Sequence, residues 1–194
     1  MAWTARNGDL TWAETEDNAY EVYYTLDNLG WTPQAVAAVC GNMQAESGIN
    51  PGRWEIGKTP FSADAGYGLT QWTPYTKLSD WADLNQLAWI DNGDTQVLRI
   101  EYEALNNLQW FYNVQMGMAP PITFTQFRTS TLSVDTLSNY FLYFYEHPLD
   151  PVGQTPIRRA NSQYWYNLFT GGGGGTVPIW LLFKISEFNR KGRW

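Results

Sequence analysis

Apolar positions recur every three or four residues through most of the 194-residue chain, interrupted by Gly, Pro and Asn often enough to predict a series of short helices. Thr11-Trp-Ala-Glu14 has the form of a capping box, and Ala19, Val22, Tyr23 and Leu26 follow at helical spacing up to a stop at Gly30. Trp31-Thr32-Pro33 and Trp72-Thr73-Pro74 repeat one device. Thr serves as N-cap and Pro takes the first helical position, where its missing N–H costs nothing. The first should open a helix over about 33–47 with Val36, Val39, Cys40 and Met43 on one side. The second should open one over about 74–87, with Leu78, Trp81, Ala82 and Leu84 or Asn85 inward. Further helices are expected over 94–107, 124–130, 134–146 and 156–169, with Asp94, Thr123 and Ser133 as caps. The pattern is that of an α-rich domain.

Residues 49–72 break the helical period. Asn50-Pro51-Gly52, Gly57, Lys58-Thr59-Pro60 and Gly66-Tyr67-Gly68 call for turns, and the segments between them are short enough to pair as a small hairpin. A long polar excursion between two helices of a compact domain is usually functional. Five consecutive glycines at 171–175 read as a flexible linker, and the TVPIWLLFKISEFNRKGRW after them is apolar and then basic. The expected division is an arm over 1–10, the helical domain over 11–169, a linker over 170–176 and a tail over 177–194.

Composition narrows the function. Apolar residues make up 44% of the chain, which excludes general disorder. Eleven Trp, twelve Tyr and nine Phe are more rings than a core of this size needs, so some are expected to line a groove, and flat rings with polar edges suit sugars. A net charge of −7 with only twelve Lys plus Arg argues against nucleic acid as a partner. The single Cys cannot form an internal disulfide, and one Cys with one His cannot supply a usual zinc ligand set, so neither metal nor other cofactor is expected. The opening MAWTARNGDLTW lacks the apolar core of a signal peptide, and no run approaches the ~18 apolar residues of a transmembrane helix. Cys40 and His147 are residue types fit for a cysteine amidase. Cys40 however falls on the apolar side of a helix interior, and His147 stands at a helix end where a cation complements the dipole, so that alternative is the weaker one.

One carboxylate stands out. Glu46 follows Met43 by three residues and Val39 by seven, which turns it toward their face, and Gly48 supplies the left-handed stop that places Glu46 in the last helical turn. The negative end of the helix dipole and the apolar neighbours both favour its protonated form, which is the form a general acid needs. The plainer alternative is a Glu bound to a backbone N–H or to an arginine such as Arg53. Trp54 and Trp72 flank the following loop as sugar-stacking candidates.

The AES at 45–47 followed by GYGLTQW at 66–72 resembles the lysozyme and transglycosylase pattern of a catalytic Glu ending a helix, with a Gly-rich, Gln-containing segment lining the cleft. More specifically, GWTPQAVAAVCGNMQAESGINPGRWE, GYGLTQWTP, FYEHP and ANSQYWYNL resemble, in order and spacing, the phage tail lysozyme family, over about 15–169. These are peptidoglycan-degrading domains at the tail tips of short-tailed phages of Gram-positive bacteria. The resemblance implies a mainly α, lysozyme-like α+β fold with a small hairpin or loop region after the Glu46 helix. It also implies cleavage between N-acetylmuramic acid and N-acetylglucosamine for genome delivery, a place in the virion, and bacterial peptidoglycan and other tail proteins as partners. Glu46 matches the general acid, Tyr67 and Gln71 match cleft-lining positions, and Tyr145 with Glu146 falls where relatives carry a late Tyr-containing cleft motif. Asp64 sits where many lysozymes keep a second carboxylate, with Glu55 as the alternative. Transglycosylase-type relatives use one Glu, because the substrate's own acetamido group attacks the anomeric carbon. A non-catalytic protein that only grips wall glycan is the remaining alternative class.

Overall fold

A computed structural model describes residues 2–171. The linker and tail read from the sequence beyond 171 lie outside the described residues. The described residues fold into seven α-helices: α1 (Trp12–Asn28), α2 (Pro33–Ser47), α3 (Thr76–Leu84), α4 (Gly93–Leu105), α5 (Phe124–Arg128), α6 (Val134–Phe141) and α7 (Pro151–Phe169). A π-helical turn, Leu142–Glu146, continues α6. The mainly α architecture is the one expected from the periodicity.

The capping chemistry explains most of the starts. Thr11 and Glu14 form a reciprocal capping box on α1, and Thr32 accepts from the Ala35 N–H with Pro33 at the first position of α2. Gly48, at φ 71°, closes α2 in the left-handed geometry that a Cβ would penalise. Thr123 and Ser133 cap α5 and α6.

Three helices depart from expectation. The second Thr-Pro pair does not open α3: Thr73 Oγ1 donates to the Gln71 carbonyl instead of capping, and the helix starts only at Thr76. Helix α4 is capped by Asn92, while Asp94 lies in its first turn and accepts from Trp3 Nε1. Helix α7 starts at Pro151 under an Asp150 cap and carries Pro156 inside it, where Pro156 was expected to mark the start. Thr155 Oγ1 donating to the Pro151 carbonyl closes that first turn from the side chain.

Helix α2 is also buried on more than one side. Every residue from Ala35 to Met43 is inside, because α1, α5, α6 and α7 all pack around it. A helix apolar all round is a central helix, and α2 is the axis of the domain. The tightest approach is to α7: a Cβ built on Gly41 would stand 2.5 Å from the backbone N and 2.6 Å from the Cα of Ser162. The second half of the core is aromatic, with Trp110 stacked on Phe124 at 4.6 Å and Phe141 on Tyr145 at 4.4 Å. The N-terminal arm is tied down, since Asn18 and Asn50 take the carbonyls of Thr4, Arg6 and Gly8.

Candidate active site

The end of α2 is fastened to the loop that follows it. Ser47 Oγ donates to the Leu69 carbonyl at 2.9 Å and accepts from the Asn50 N–H, so the serine of the AES stretch joins the helix end to the GYGLTQ segment. Buried Gln96 of α4 holds the same segment from the other side, accepting from the Leu69 N–H at 2.7 Å and donating to the carbonyls of Pro51 and Ile90. The expected hairpin is reduced to single antiparallel bridges, Trp54 to Tyr67 and Tyr67 to Trp72. With so little ladder, the loop uses its own aromatic cluster as a core. Trp54 packs on Tyr67 at 4.4 Å, on Phe61 at 4.7 Å and on Tyr75 at 5.3 Å.

Glu46 stands in the last turn of α2 with its side chain 21% exposed. It lines a depression of about 360 Å³ with Asp9, Leu10, Thr15, Gln44, Arg53 and Ile56 among the other walls. A second depression of about 320 Å³, between Asn107 and Gln126, is lined by no ionisable side chain and so offers no proton donor. Behind Glu46, buried Arg158 of α7 binds its Oε1 in a close ion pair. The same guanidinium donates to the carbonyl and Oδ1 of Asn42 at 3.2 Å, and to Gln154 Oε1. The arginine anticipated near Glu46, Arg53, instead pairs with Asp9 at 2.7 Å.

Glu146 completes the cluster from the end of the π-helical turn. Its Oε1 is buried without a hydrogen-bond partner. Burial, followed by the charge of Glu46, pushes its proton affinity well above the usual carboxyl range, while Arg158 pulls the other way and Glu103 adds to the rise. Glu46, Glu146 and Arg158 thus come from three elements and act on one another.

The other residues singled out in the sequence take varied positions. Asp64 is exposed, ion-paired with Lys58 at 2.5 Å and bonded by Ser62, and those contacts hold its carboxyl below the usual range. Glu55 accepts from the Gly66 N–H at 2.9 Å and closes the loop on itself. Gln71, at φ 52°, donates to the carbonyls of Arg53 and Gly68, both at 3.0 Å. Trp54, Tyr67, Trp72 and Tyr145 are all inside, and the open ring of the loop's cluster is Phe61, 58% exposed. Trp72 Nε1 and the Tyr145 hydroxyl both donate to Glu103, a buried carboxylate of α4 that Arg99 also binds, at 2.8 Å. Burial raises Glu103, with Arg99, Tyr145 and Trp72 opposing. Cys40 is buried in α2, where desolvation pushes its thiol up and away from the nucleophilic form.

Arg158 and Glu103 were not singled out in the sequence, although a signal existed for each. Gln154, Arg158, Ser162 and Trp165 follow at helical spacing, a polar stripe running into a buried ring, and Glu103 sits three residues after Ile100 on the inward face of α4. Among the described residues, no group of His, Cys, Asp and Glu is arranged to hold a metal ion, and no helix is long and apolar enough to cross a membrane.

The sequence profile of the phage tail lysozyme family matches residues 17–169. Morphogenesis protein 1 of Bacillus phage B103 is 39% identical over 175 residues, which is 90% of this chain and 45% of that protein. The chain therefore spans about half the length of that relative. The family match takes in α2, the loop over 49–72 and the arginine of α7 together, and the chain belongs to the phage tail lysozyme family.

Proposed function

We propose that this domain cleaves the glycan strand of bacterial peptidoglycan, with Glu46 as general acid protonating the glycosidic oxygen that leaves. The observation that carries the reading is the placement of Glu46: a residue lining a depression, in the last turn of a central helix, its carboxyl anchored by a buried arginine. An acid must hold its geometry against a substrate pulled across it, and a carboxyl fixed on a buried helix does so better than one on a loop. The bond between N-acetylmuramic acid and N-acetylglucosamine is the one a lysozyme family member would cut. The family description and the phage relative's name support a place in a phage tail, where opening the wall would serve genome delivery.

The product has two readings. A hydrolase leaves a reducing sugar and a transglycosylase a 1,6-anhydro sugar. The second is favoured by one arrangement: Asp64 and Glu55 are both engaged within their own loop, by Lys58 and by the Gly66 N–H. A mechanism that needs one acid, with the substrate's acetamido group as nucleophile, makes no demand on either of them. Mass spectrometry of muropeptides released from purified cell wall tests both points. The intact protein is expected to release glycan fragments whose ends report the product, and Glu46→Gln is expected to release none while remaining folded by circular dichroism. A Glu46→Gln protein with full release would sink the assignment.

A further inference from the structure

With Trp54, Tyr67, Trp72 and Tyr145 all inside, a glycan strand crossing Glu46 has to find its aromatic contacts elsewhere. One exposed ring, Trp12, is tied to the Glu46 depression twice. Along the chain, Leu10 stands two residues before it and Thr15 three residues after it on the same side of α1, and both line the depression. Through space, Trp12 stacks on buried Trp165 of α7 at 5.6 Å and 18°. The Trp165 indole N–H in turn donates at 2.8 Å to Oε1 of Gln44, another wall residue. With one face covered by Trp165 and the ring still 49% exposed, Trp12 presents its other face outward. Tyr164, 41% exposed, meets it edge-on at 5.3 Å and fixes how it is turned. Trp165 also stacks on Phe169 at 5.9 Å, so the pair is seated on packed helices rather than on a loop.

We propose that Trp12 and Tyr164 form a sugar-stacking subsite for the part of the glycan strand that extends past the bond cut at Glu46. The inference rests on the reading of the domain as a glycan-cleaving enzyme. A pyranose ring carries C–H groups on its faces and hydroxyls around its edge, so it fits an open aromatic face with polar groups at the rim. Both are present here. The Tyr164 hydroxyl donates to Glu16 Oε1 at 3.3 Å, and the Glu16 carboxylate is an acceptor for sugar hydroxyls. Beside Tyr164 on α7, the exposed Gln163 donates to Asn167 Oδ1 at 3.0 Å, which adds amide groups to the same rim. Helix α7 also sets the distance from the acid. Arg158, which binds Glu46, and Tyr164 are six residues apart, or roughly 9 Å along the axis. A sugar on the rings is therefore a neighbour of the one being protonated, further along the strand. The rings are held in place before substrate arrives, which keeps the ordering cost of stacking small. A contact made equally in the ground and transition states strengthens strand binding and leaves the bond-breaking step alone.

Uncrosslinked glycan strands of graded length, prepared from purified cell wall, serve as the probe for the full chain. Trp12→Leu keeps apolar bulk against Trp165 but has no flat face. It is expected to raise KM for long strands about fivefold or more, with kcat within about twofold. The loss should shrink as strands shorten and vanish for the shortest strand that is cut, and Trp12→Phe, which restores a ring, should recover most of it. In the Glu46→Gln protein, long strands are expected to shift the Trp12 indole N–H signal in NMR spectra, assigned by its absence after Trp12→Phe. This second readout leaves Trp12 intact and so stands even if Trp12→Leu does not fold. An unchanged KM in folded Trp12→Leu, an equal loss on short and long strands, or an indole signal unmoved at saturating strand overturns the proposal. So does a change of oligomeric state on Trp12→Leu with KM unchanged, which would give this face to a second copy of the chain. Full release by Glu46→Gln would instead strike the assignment of the acid, and the KM comparison does not depend on which group that is.

Discussion

Arg158 is where single-residue energetics are most exposed. Its side chain is 3% exposed, and it serves Glu46, Asn42 and Gln154 at once. A buried ion pair adds little net stability when made, but removing one partner strands the other's charge and typically costs ~3–5 kcal/mol. Arg158→Met is therefore expected to destabilise the domain by about that much, read as a lower denaturation midpoint at unchanged slope. A loss below about 1 kcal/mol would mean that water already solvates the Glu46 carboxylate and that Arg158 does not hold it. Glu46 itself was legible from spacing, because a carboxyl before a Gly stop on the inward face contradicts ordinary helix design. Its partner was not, since Arg158 lies 112 residues away and no local rule pairs the two.

At the scale of elements, the crossing of α2 and α7 brings Glu46 and Arg158 together. Gly41 permits it. Helix propensity alone says that Gly41→Ala should stabilise α2 by roughly 1 kcal/mol. The contact says the opposite, because the added methyl would meet the backbone of Ser162, and backbone cannot swing aside as a flexible side chain does. Gly41→Ala is expected to lower stability by roughly 1–3 kcal/mol or more. It should also reduce muropeptide release, as the helices part and Arg158 withdraws from Glu46. Thermal denaturation with an activity assay checks both, and a stabilised variant would show that the crossing has slack. The element boundaries were readable wherever a side chain reports its own cap, as Thr11, Thr32, Thr123 and Ser133 do. They were not readable at α3 and α7, where Thr73 and Pro156 carry the local marks of a start and their neighbours decide otherwise.

Across the whole molecule, acidic side chains set how stability follows pH. Burial, with the charges of Asp94 and Asp17, raises Glu21 from 4.5 to about 7. A carboxyl raised in the folded state binds its proton more tightly there than in the unfolded chain. Its contribution is thus complete below about 4.5 and is lost as pH climbs through about 7. Glu103 and Glu146 are raised by burial and act in the same direction. Glu14, lowered to about 2 by the Arg6 and Thr11 bonds, contributes above 4.5 and is lost only as pH falls through about 2, outside that window. Melting temperature is expected to fall between about pH 5 and pH 8, and Glu21→Gln should make the fall shallower. An identical slope in wild type and variant would remove Glu21 from the account. The same burial governs the rings. Trp54 and Trp72 suggested a sugar-binding wall from composition and position, and Tyr67 from the family resemblance, and the fold draws all three inward because a loop with almost no strand ladder has to build its core from its own side chains.

The sequence by itself determined the helical class, the extent of α1 and α2, and Glu46 at the end of the latter. Each of these rests on interactions within a few residues: a cap with its third neighbour, a period along one face, a glycine that alone accepts the closing turn. Only the tertiary structure decided that α2 is the central helix, that Gly41 admits α7 against it, and that Arg158 meets the carboxyl of Glu46. Those facts depend on which distant surfaces exclude water together. Hydrophobic burial is non-directional and leaves no mark in local spacing of which partner it will choose.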